Sequence, residues 1–127
     1  MTNLLLVDDE VAFARTLAAG LEDQGFDVRL AHDGFEGYQQ AKLPRFDVVV
    51  LDIMLPRMSG VEVCRRLRTE DVSTPILMLT ARGADSDETD SLDSGADDYL
   101  RKKLDLPFGT HLLRTQRGQG YRLEVPT

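Results

Sequence analysis

Apolar runs and amphipathic stretches alternate along the first hundred residues. Leu4-Leu5-Leu6-Val7 is short and continuously apolar, as expected of a strand buried on both faces, and ends on Asp8-Asp9-Glu10. The next apolar positions, Val11, Ala14, Leu17, Ala18 and Leu21, repeat with helical spacing, and Gly25 stops that helix. Phe26-Asp27-Val28-Arg29-Leu30-Ala31 alternates as a second strand. Asp33-Gly34 opens a short helix to Leu43, where Pro44 breaks it. Val48-Val49-Val50-Leu51-Asp52 is the most apolar run of all, followed by the turn residues Pro56-Arg57-Met58-Ser59-Gly60. A third helix is predicted from about Gly60 to Thr69, with Val61, Cys64 and Leu67 on one face. Pro75 starts a fourth strand, Ile76-Leu77-Met78-Leu79, ending on Thr80, and Tyr99-Leu100 is the core of a fifth.

This alternation is the signature of a parallel sheet with helices on both faces. In such folds ligands bind beyond the carboxyl ends of the strands. Five polar positions fall at that edge: Asp8 and Asp9 after the first strand, Asp52 closing the third, Thr80 closing the fourth and Lys102 after the fifth.

Composition changes the picture in two respects. A chain of 127 residues, 42% hydrophobic and 29% charged, fits one globular domain. No apolar run has membrane-spanning length and no signal peptide is read, so a cytoplasmic location is expected. The single cysteine, Cys64, is expected to be a buried structural thiol. The net charge of −7 argues against the whole chain binding nucleic acid, but it divides into −11 over residues 1–100 and +4 over residues 101–127. Something changes near residue 100.

Carboxylates crowded into a partly desolvated pocket repel one another, and a positive partner must hold them ionised. Carboxylates, a backbone carbonyl and waters suit Mg²⁺, and a lysine opposite balances the remaining charge. An aspartate beside Mg²⁺ can attack phosphorus to form an acyl phosphate. A threonine hydroxyl reaching the new phosphoryl oxygens makes a contact that exists only afterwards, which is what shifts a two-state equilibrium. Taken singly, each group has a plainer reading. Asp8-Asp9 alone would be an acidic helix start, Thr80 alone a cap, and Tyr99 alone a core aromatic. Gly60, Gly95 and Pro56 are assigned to turns.

Together the motifs Val7-Asp8-Asp9-Glu10, Leu51-Asp52-Ile53-Met54-Leu55-Pro56 with Ser59-Gly60, Leu79-Thr80-Ala81-Arg82 and Gly95-Ala96-Asp97-Asp98-Tyr99-Leu100 resemble a receiver domain of a two-component response regulator. The resemblance covers about residues 1–102. It implies a flavodoxin-like α/β fold: a doubly wound, parallel, five-stranded sheet in the order 2-1-3-4-5. It also implies Asp52 as phosphoacceptor, with Asp9, Asp52 and the Met54 carbonyl as direct Mg²⁺ ligands and Asp8 bound through water. Thr80 becomes the switch hydroxyl, Tyr99 the switch aromatic, Lys102 the phosphate-facing lysine, and a sensor histidine kinase the partner.

Two segments depart from that family. Residues 83–94, where a fourth helix belongs, have Leu92 as the main large anchor, while Ser86, Thr89 and Asp90 stand at positions usually apolar. A weak fourth helix is therefore expected, because few large side chains are there to bury. After Leu100, Lys103 replaces a proline and the fifth helix is missing or replaced. Residues 103–127 instead resemble the end of an OmpR/PhoB-type winged-helix domain, with a wing motif Arg117-Gly118-Gln119-Gly120-Tyr121-Arg122-Leu123. The chain thus reads as a response regulator with an internal deletion, its tail a remnant and not an independent domain.

Two structures for the tail compete. One is a substitute helix from Pro107-Phe108 with Leu112 and Leu113 against the sheet; the other is a hairpin over residues 110–124, favoured by Thr115, Tyr121 and the glycines. A lone hairpin is marginal unless packed or paired, so a homodimer or swapped oligomer is one expectation. Of the functions, a phosphoacceptor that is not an enzyme leads. A DNA-binding regulator of OmpR/PhoB type, of which this would be a shortened form, is the alternative. Its arginines Arg114, Arg117 and Arg122 could touch phosphates, but DNA binding is expected to be impaired or absent. A Mg²⁺-dependent phosphatase is the third reading.

Overall fold

The computed structural model describes residues 2–80, 95–101, 113–116 and 120–123. The expected weak fourth helix, the expected loss of the fifth and Lys102 all lie outside the described residues.

Ten elements follow in chain order: β1 (Thr2–Val7), α1 (Val11–Asp23), β2 (Phe26–Ala31), α2 (Gly34–Ala41), β3 (Val48–Asp52), α3 (Gly60–Thr69), β4 (Ile76–Thr80), β5 (Asp98–Arg101), β6 (Leu113–Gln116) and β7 (Gly120–Leu123). The first five strands form a parallel sheet in the order β2-β1-β3-β4-β5. All five residues of β3 are buried, its four apolar residues as expected of a strand with two neighbours and two covered faces, and Asp52 with them. The edge strand β2 instead alternates between half-buried and exposed positions until Ala31.

Helix boundaries follow local chemistry. The Asp33 carboxylate accepts the Glu36 N–H at 2.8 Å and starts α2, and the Ser59 hydroxyl accepts the Glu62 N–H at 3.2 Å and starts α3. Gly25, at φ +99°, ends the turn after α1 in a conformation that L side chains avoid. The apolar stripe of α1 buries Ala14, Leu17, Ala18 and Leu21, but Val11 is 42% exposed and outside it. In α3 the buried set is Val63, Cys64 and Leu67, whereas Val61 is only half-buried. Spacing from Cys64 and Leu67 alone did not separate Val61 from Val63, since both lie within one turn of them. Helix α2 ends at Ala41, short of Leu43.

Two cores result. On one side of the sheet α1 packs on Leu4, Leu6, Val48, Val50, Leu77 and Leu79. On the other, Val63, Cys64 and Leu67 pack with Leu5, Val7, Val49, Leu51, Ile76 and Met78. The Cys64 thiol is buried there, as its helical position predicted.

Of the two tail structures, the hairpin is the one found. β6 and β7 pair antiparallel, with Leu113 opposite Leu123, Arg114 opposite Arg122, Thr115 opposite Tyr121 and Gln116 opposite Gly120. β7 lies against β4 and β5.

Candidate functional site

The carboxyl ends of β1 and β3 meet at one level, because Val7 and Leu51 are register partners. The residues that follow them, Asp8 and Asp52, are therefore neighbours where the central strands leave the sheet. Together with Asp9 they bring carboxylate oxygens within 4.8 Å of one another. Asp8 is 0% exposed and Asp52 4%, and they are the only buried charged residues among those described. Asp9 is exposed.

The two buried aspartates are each held by a backbone N–H of their own turn. Asp8 Oδ1 accepts the Glu10 N–H at 2.8 Å, so Asp8 closes a tight turn two residues ahead instead of capping α1 by reaching its second or third N–H. The Asp8 N–H donates to the Ala31 carbonyl at 3.0 Å, and the Asp8 carbonyl lies 3.0 Å from His32 Nδ1, which donates to it in the Nδ1–H tautomer. Asp52 Oδ1 accepts the Met54 N–H at 3.2 Å. The next link, Ile53 N–H to the Leu79 carbonyl at 3.1 Å, ties the loop after β3 to the end of β4.

That loop is clamped by close approaches that the sequence did not announce. Gly60 was read as a turn glycine, but it sits in the first turn of α3, and its role is contact. A Cβ there would lie 2.2 Å from the Asp52 carbonyl oxygen and 2.8 Å from Ile53 Cα. The Gly60 N–H donates to the Ile53 carbonyl at 2.8 Å, so helix and strand end touch backbone to backbone. Gly34 does the same from the other side. Its N–H donates to the Pro56 carbonyl at 3.1 Å, and a Cβ would lie 1.6 Å from the Met58 carbonyl oxygen. Between these clamps Arg57 adopts φ +71°, with its guanidinium 3.9 Å from Asp33 and 5.1 Å from the Phe35 ring centroid. The only hint in the sequence is that each glycine directly follows a helix-capping residue, Asp33 or Ser59.

Backbone register places the remaining predicted positions. Asp52 pairs with Leu79, so Thr80 comes one residue beyond it at the end of β4. Thr80 pairs with Arg101, and Tyr99 pairs with Met78 two residues back from that level. The topology thus brings Asp8, Asp9, Asp52, Met54 and Thr80 to the carboxyl edge. Lys102 follows Arg101 in the chain and lies outside the described residues.

The donors of the cluster are all oxygen and anionic, which suits a small hard divalent cation and gives a softer metal no sulfur or imidazole ligand. Among the described residues no helix is long and apolar enough to cross a membrane.

Comparison with known proteins agrees with this geometry. The family model for the response regulator receiver domain matches residues 4–113. The response regulator MprA of Mycobacterium ulcerans is 47% identical over 103 residues, which is 81% of this chain and 44% of MprA. The chain thus spans less than half the length of the curated relatives it matches. Among solved structures, the receiver domain of a sensor histidine kinase from Pseudomonas aeruginosa PAO1, with a magnesium ion coordinated in its active site cleft, is 30% identical at a TM-score of 0.74. That match covers 81% of this chain and 86% of the other. A response regulator from Burkholderia pseudomallei, with a phosphorylated aspartic acid, a calcium ion and citrate, is 33% identical at a TM-score of 0.73, covering 83% of this chain and 62% of that one. With the matched residues spanning most of the chain and both buried aspartates at the carboxyl edge of the sheet, the protein belongs to the response regulator receiver domain family.

Proposed function

We propose that this chain accepts a phosphoryl group on Asp52 from a sensor histidine kinase, in phosphorelay signalling. The observation that carries the reading is the Asp8–Asp9–Asp52 cluster at the carboxyl edge, with Asp52 nearly buried and oriented by the Met54 N–H. The Burkholderia relative supports it by carrying a phosphorylated aspartic acid in the same fold family.

Asp9, Asp52 and the Met54 carbonyl would hold Mg²⁺ directly, with Asp8 through water, and the magnesium in the Pseudomonas relative supports this choice of ion. The bound ion would supply charge neutralisation for a phosphoryl group entering an acidic pocket. The chain's own residues do the rest. A carboxylate oxygen of Asp52 attacks the phosphorus of a phosphohistidine; the P–O bond forms as the P–N bond breaks, and the imidazole leaves with its electron pair and takes up a proton. The product is an acyl phosphate, so the protein is a phosphoacceptor and not a turnover enzyme. Thr80 then donates its hydroxyl to the phosphoryl oxygens, Lys102 pairs with the remaining charge, and Tyr99 is the aromatic that follows Thr80. These contacts exist only after transfer, which lets the phosphate select one conformation.

The tail is read as the wing of an OmpR/PhoB-type DNA-binding domain, joined to the receiver by an internal deletion near residue 102. Its hairpin pairing over residues 113–123 supports that reading. Without a recognition helix, sequence-selective DNA binding is expected to be absent.

Acetyl phosphate with and without Mg²⁺ tests the main proposal. The parent is expected to gain one acid-stable, hydroxylamine-labile phosphoryl group only with Mg²⁺, and Asp52→Asn none. Equal labelling of Asp52→Asn would overturn it.

A further inference from the structure

The loop between β3 and α3 contains two three-residue turns set back to back. The Leu55 N–H donates to the Ile53 carbonyl at 3.2 Å, and the Met58 N–H donates to the Pro56 carbonyl at 2.8 Å. Met54 is the central residue of the first turn and Arg57 of the second. Each turn is also pinned by the first residue of a helix. The Ile53 carbonyl accepts the Gly60 N–H of α3 at 2.8 Å, and the Pro56 carbonyl accepts the Gly34 N–H of α2 at 3.1 Å. Beyond its N–H bond to Asp52, Met54 has little anchorage of its own, since it is 68% exposed. Where its carbonyl stands is set by the turns around it.

The second turn is the unusual one. An i to i+2 bond around a residue at φ +71° is the γ-turn of the rarer, strained hand. Glycine or asparagine adopts such a φ most easily, yet an arginine stands here. A side chain in a strained backbone position persists because its surroundings hold it. Those surroundings are the start of α2: the guanidinium lies 5.1 Å from the Phe35 ring centroid and 3.9 Å from an Asp33 carboxylate oxygen. Phe35 is exposed and belongs to neither core, so this contact is no by-product of core packing.

Neither contact is strong alone. The Arg57 side chain is 63% exposed, so the ion pair is screened, and a cation over an exposed ring adds a similarly modest amount. They act, however, on a loop whose conformation a bound ion would select.

We propose that Arg57 is a positioning residue for the ion site: through Phe35 and Asp33 it holds the 56–58 turn, and with it the adjoining 53–55 turn that presents the Met54 carbonyl. The proposal rests on the reading of that carbonyl as a Mg²⁺ ligand. An ion that needs the carbonyl in place binds in proportion to the fraction of molecules presenting it, so a tether that raises this fraction raises affinity by the same factor. Backbone strain at Arg57 and the tether from its side chain then separate in one substitution, because asparagine relieves the first and lacks the second.

Calorimetric titration of the full chain with Mg²⁺, at a temperature where every variant is folded, tests this alongside thermal melts in chelator. Arg57→Asn is expected to weaken Mg²⁺ binding about threefold. In chelator it is expected to melt no lower than the parent, because a residue better suited to φ +71° offsets the lost contacts. Phe35→Leu, which leaves the Asp33 cap in place, is expected to weaken Mg²⁺ binding about twofold, with no further loss when Arg57 is already asparagine. A merely structural role would lower the chelator melt of Arg57→Asn and leave its Mg²⁺ affinity at the parental value. That result overturns the proposal, as does full additivity of the two substitutions. A parent that binds no Mg²⁺ overturns the ion reading itself and this proposal with it, whereas equal binding by parent and Arg57→Asn overturns this proposal alone.

Discussion

The two ends of the sheet handle charge in opposite ways. At the carboxyl edge, Asp8, Asp9 and Asp52 crowd like charges together, and two of the three are buried. At the amino edge, charges are matched. Arg68, near the end of α3, donates from Nε to the Gly95 carbonyl, from one terminal nitrogen to the Val72 and Thr74 carbonyls, and from the other to Asp97 at 3.0 Å. The same Asp97 oxygen accepts the Ile76 N–H at 2.7 Å, and the Asp97 N–H donates to the Ile76 carbonyl at 2.9 Å. One guanidinium and one carboxylate thus join the end of α3, the entry to β4 and the approach to β5. At the amino edge a guanidinium–carboxylate pair ties the elements together; at the carboxyl edge the closest ties between elements seen among the described residues are backbone contacts.

Those contacts include the glycine approaches, and the largest expected effect lies there. Gly60→Ala drives a methyl group to 2.2 Å from the Asp52 carbonyl oxygen, and backbone cannot swing aside as a flexible side chain can. A loss of about 3 kcal/mol is expected, at the upper end of overpacking costs, together with loss of Asp52 phosphorylation in whatever folded fraction remains. Urea denaturation followed by acetyl phosphate labelling reads both. A variant of parental stability would show that α3 and the end of β3 can separate freely, and that the carboxyl edge is not held by backbone contact.

The amino edge gives the complementary prediction. Arg68→Ala leaves the Gly95, Val72 and Thr74 carbonyls and Asp97 without their guanidinium. Water can reach part of this network, since the Arg68 and Asp97 side chains are 24% and 43% exposed. The expected loss is therefore about 2 kcal/mol, nearer one charged hydrogen bond than the sum of all. Phosphorylation of the folded protein is expected to be unaffected. A labelling defect at a temperature where the variant is fully folded would break the division of labour between the two edges.

How much of this was legible from sequence follows the range of each interaction. The strands could be read because β1, β3 and β4 are short apolar runs, and the starts of α2 and α3 because Asp33 and Ser59 cap locally. Asp8 and Asp52 could be placed at one edge because strand ends alone fix them in a parallel sheet. The glycine clamps and the Arg68 network could not be read. Gly34 meets Met58, Gly60 meets Asp52, and Arg68 meets Gly95, each pair separated in sequence and joined only by packing. Arg68 looks in the sequence like a basic residue at a helix end, and Gly60 like part of a turn. The tail showed its hairpin through Gly118-Gln119-Gly120, but which part of the sheet it touches is a long-range fact.

The smallest expected effect has the opposite sign. Asp8→Asn keeps an oxygen to accept the Glu10 N–H, so the tight turn survives, but it removes one charge from a cluster whose oxygens lie within 4.8 Å of one another. Without a divalent ion, relief of like-charge repulsion is expected to stabilise the fold by about 1 kcal/mol, well below the unscreened Coulomb figure because Asp9 is open to solvent. Adding Mg²⁺ should reverse the ranking. The parent gains stability as ligand binding shifts the equilibrium toward the folded state, whereas the variant, with one carboxylate fewer, gains less. Thermal melts in chelator and in a Mg²⁺ series therefore have to cross. If Asp8→Asn melts no higher than the parent in chelator, burial of Asp8 is already compensated within the protein, and the contrast between the two edges lies in geometry, not in unbalanced charge.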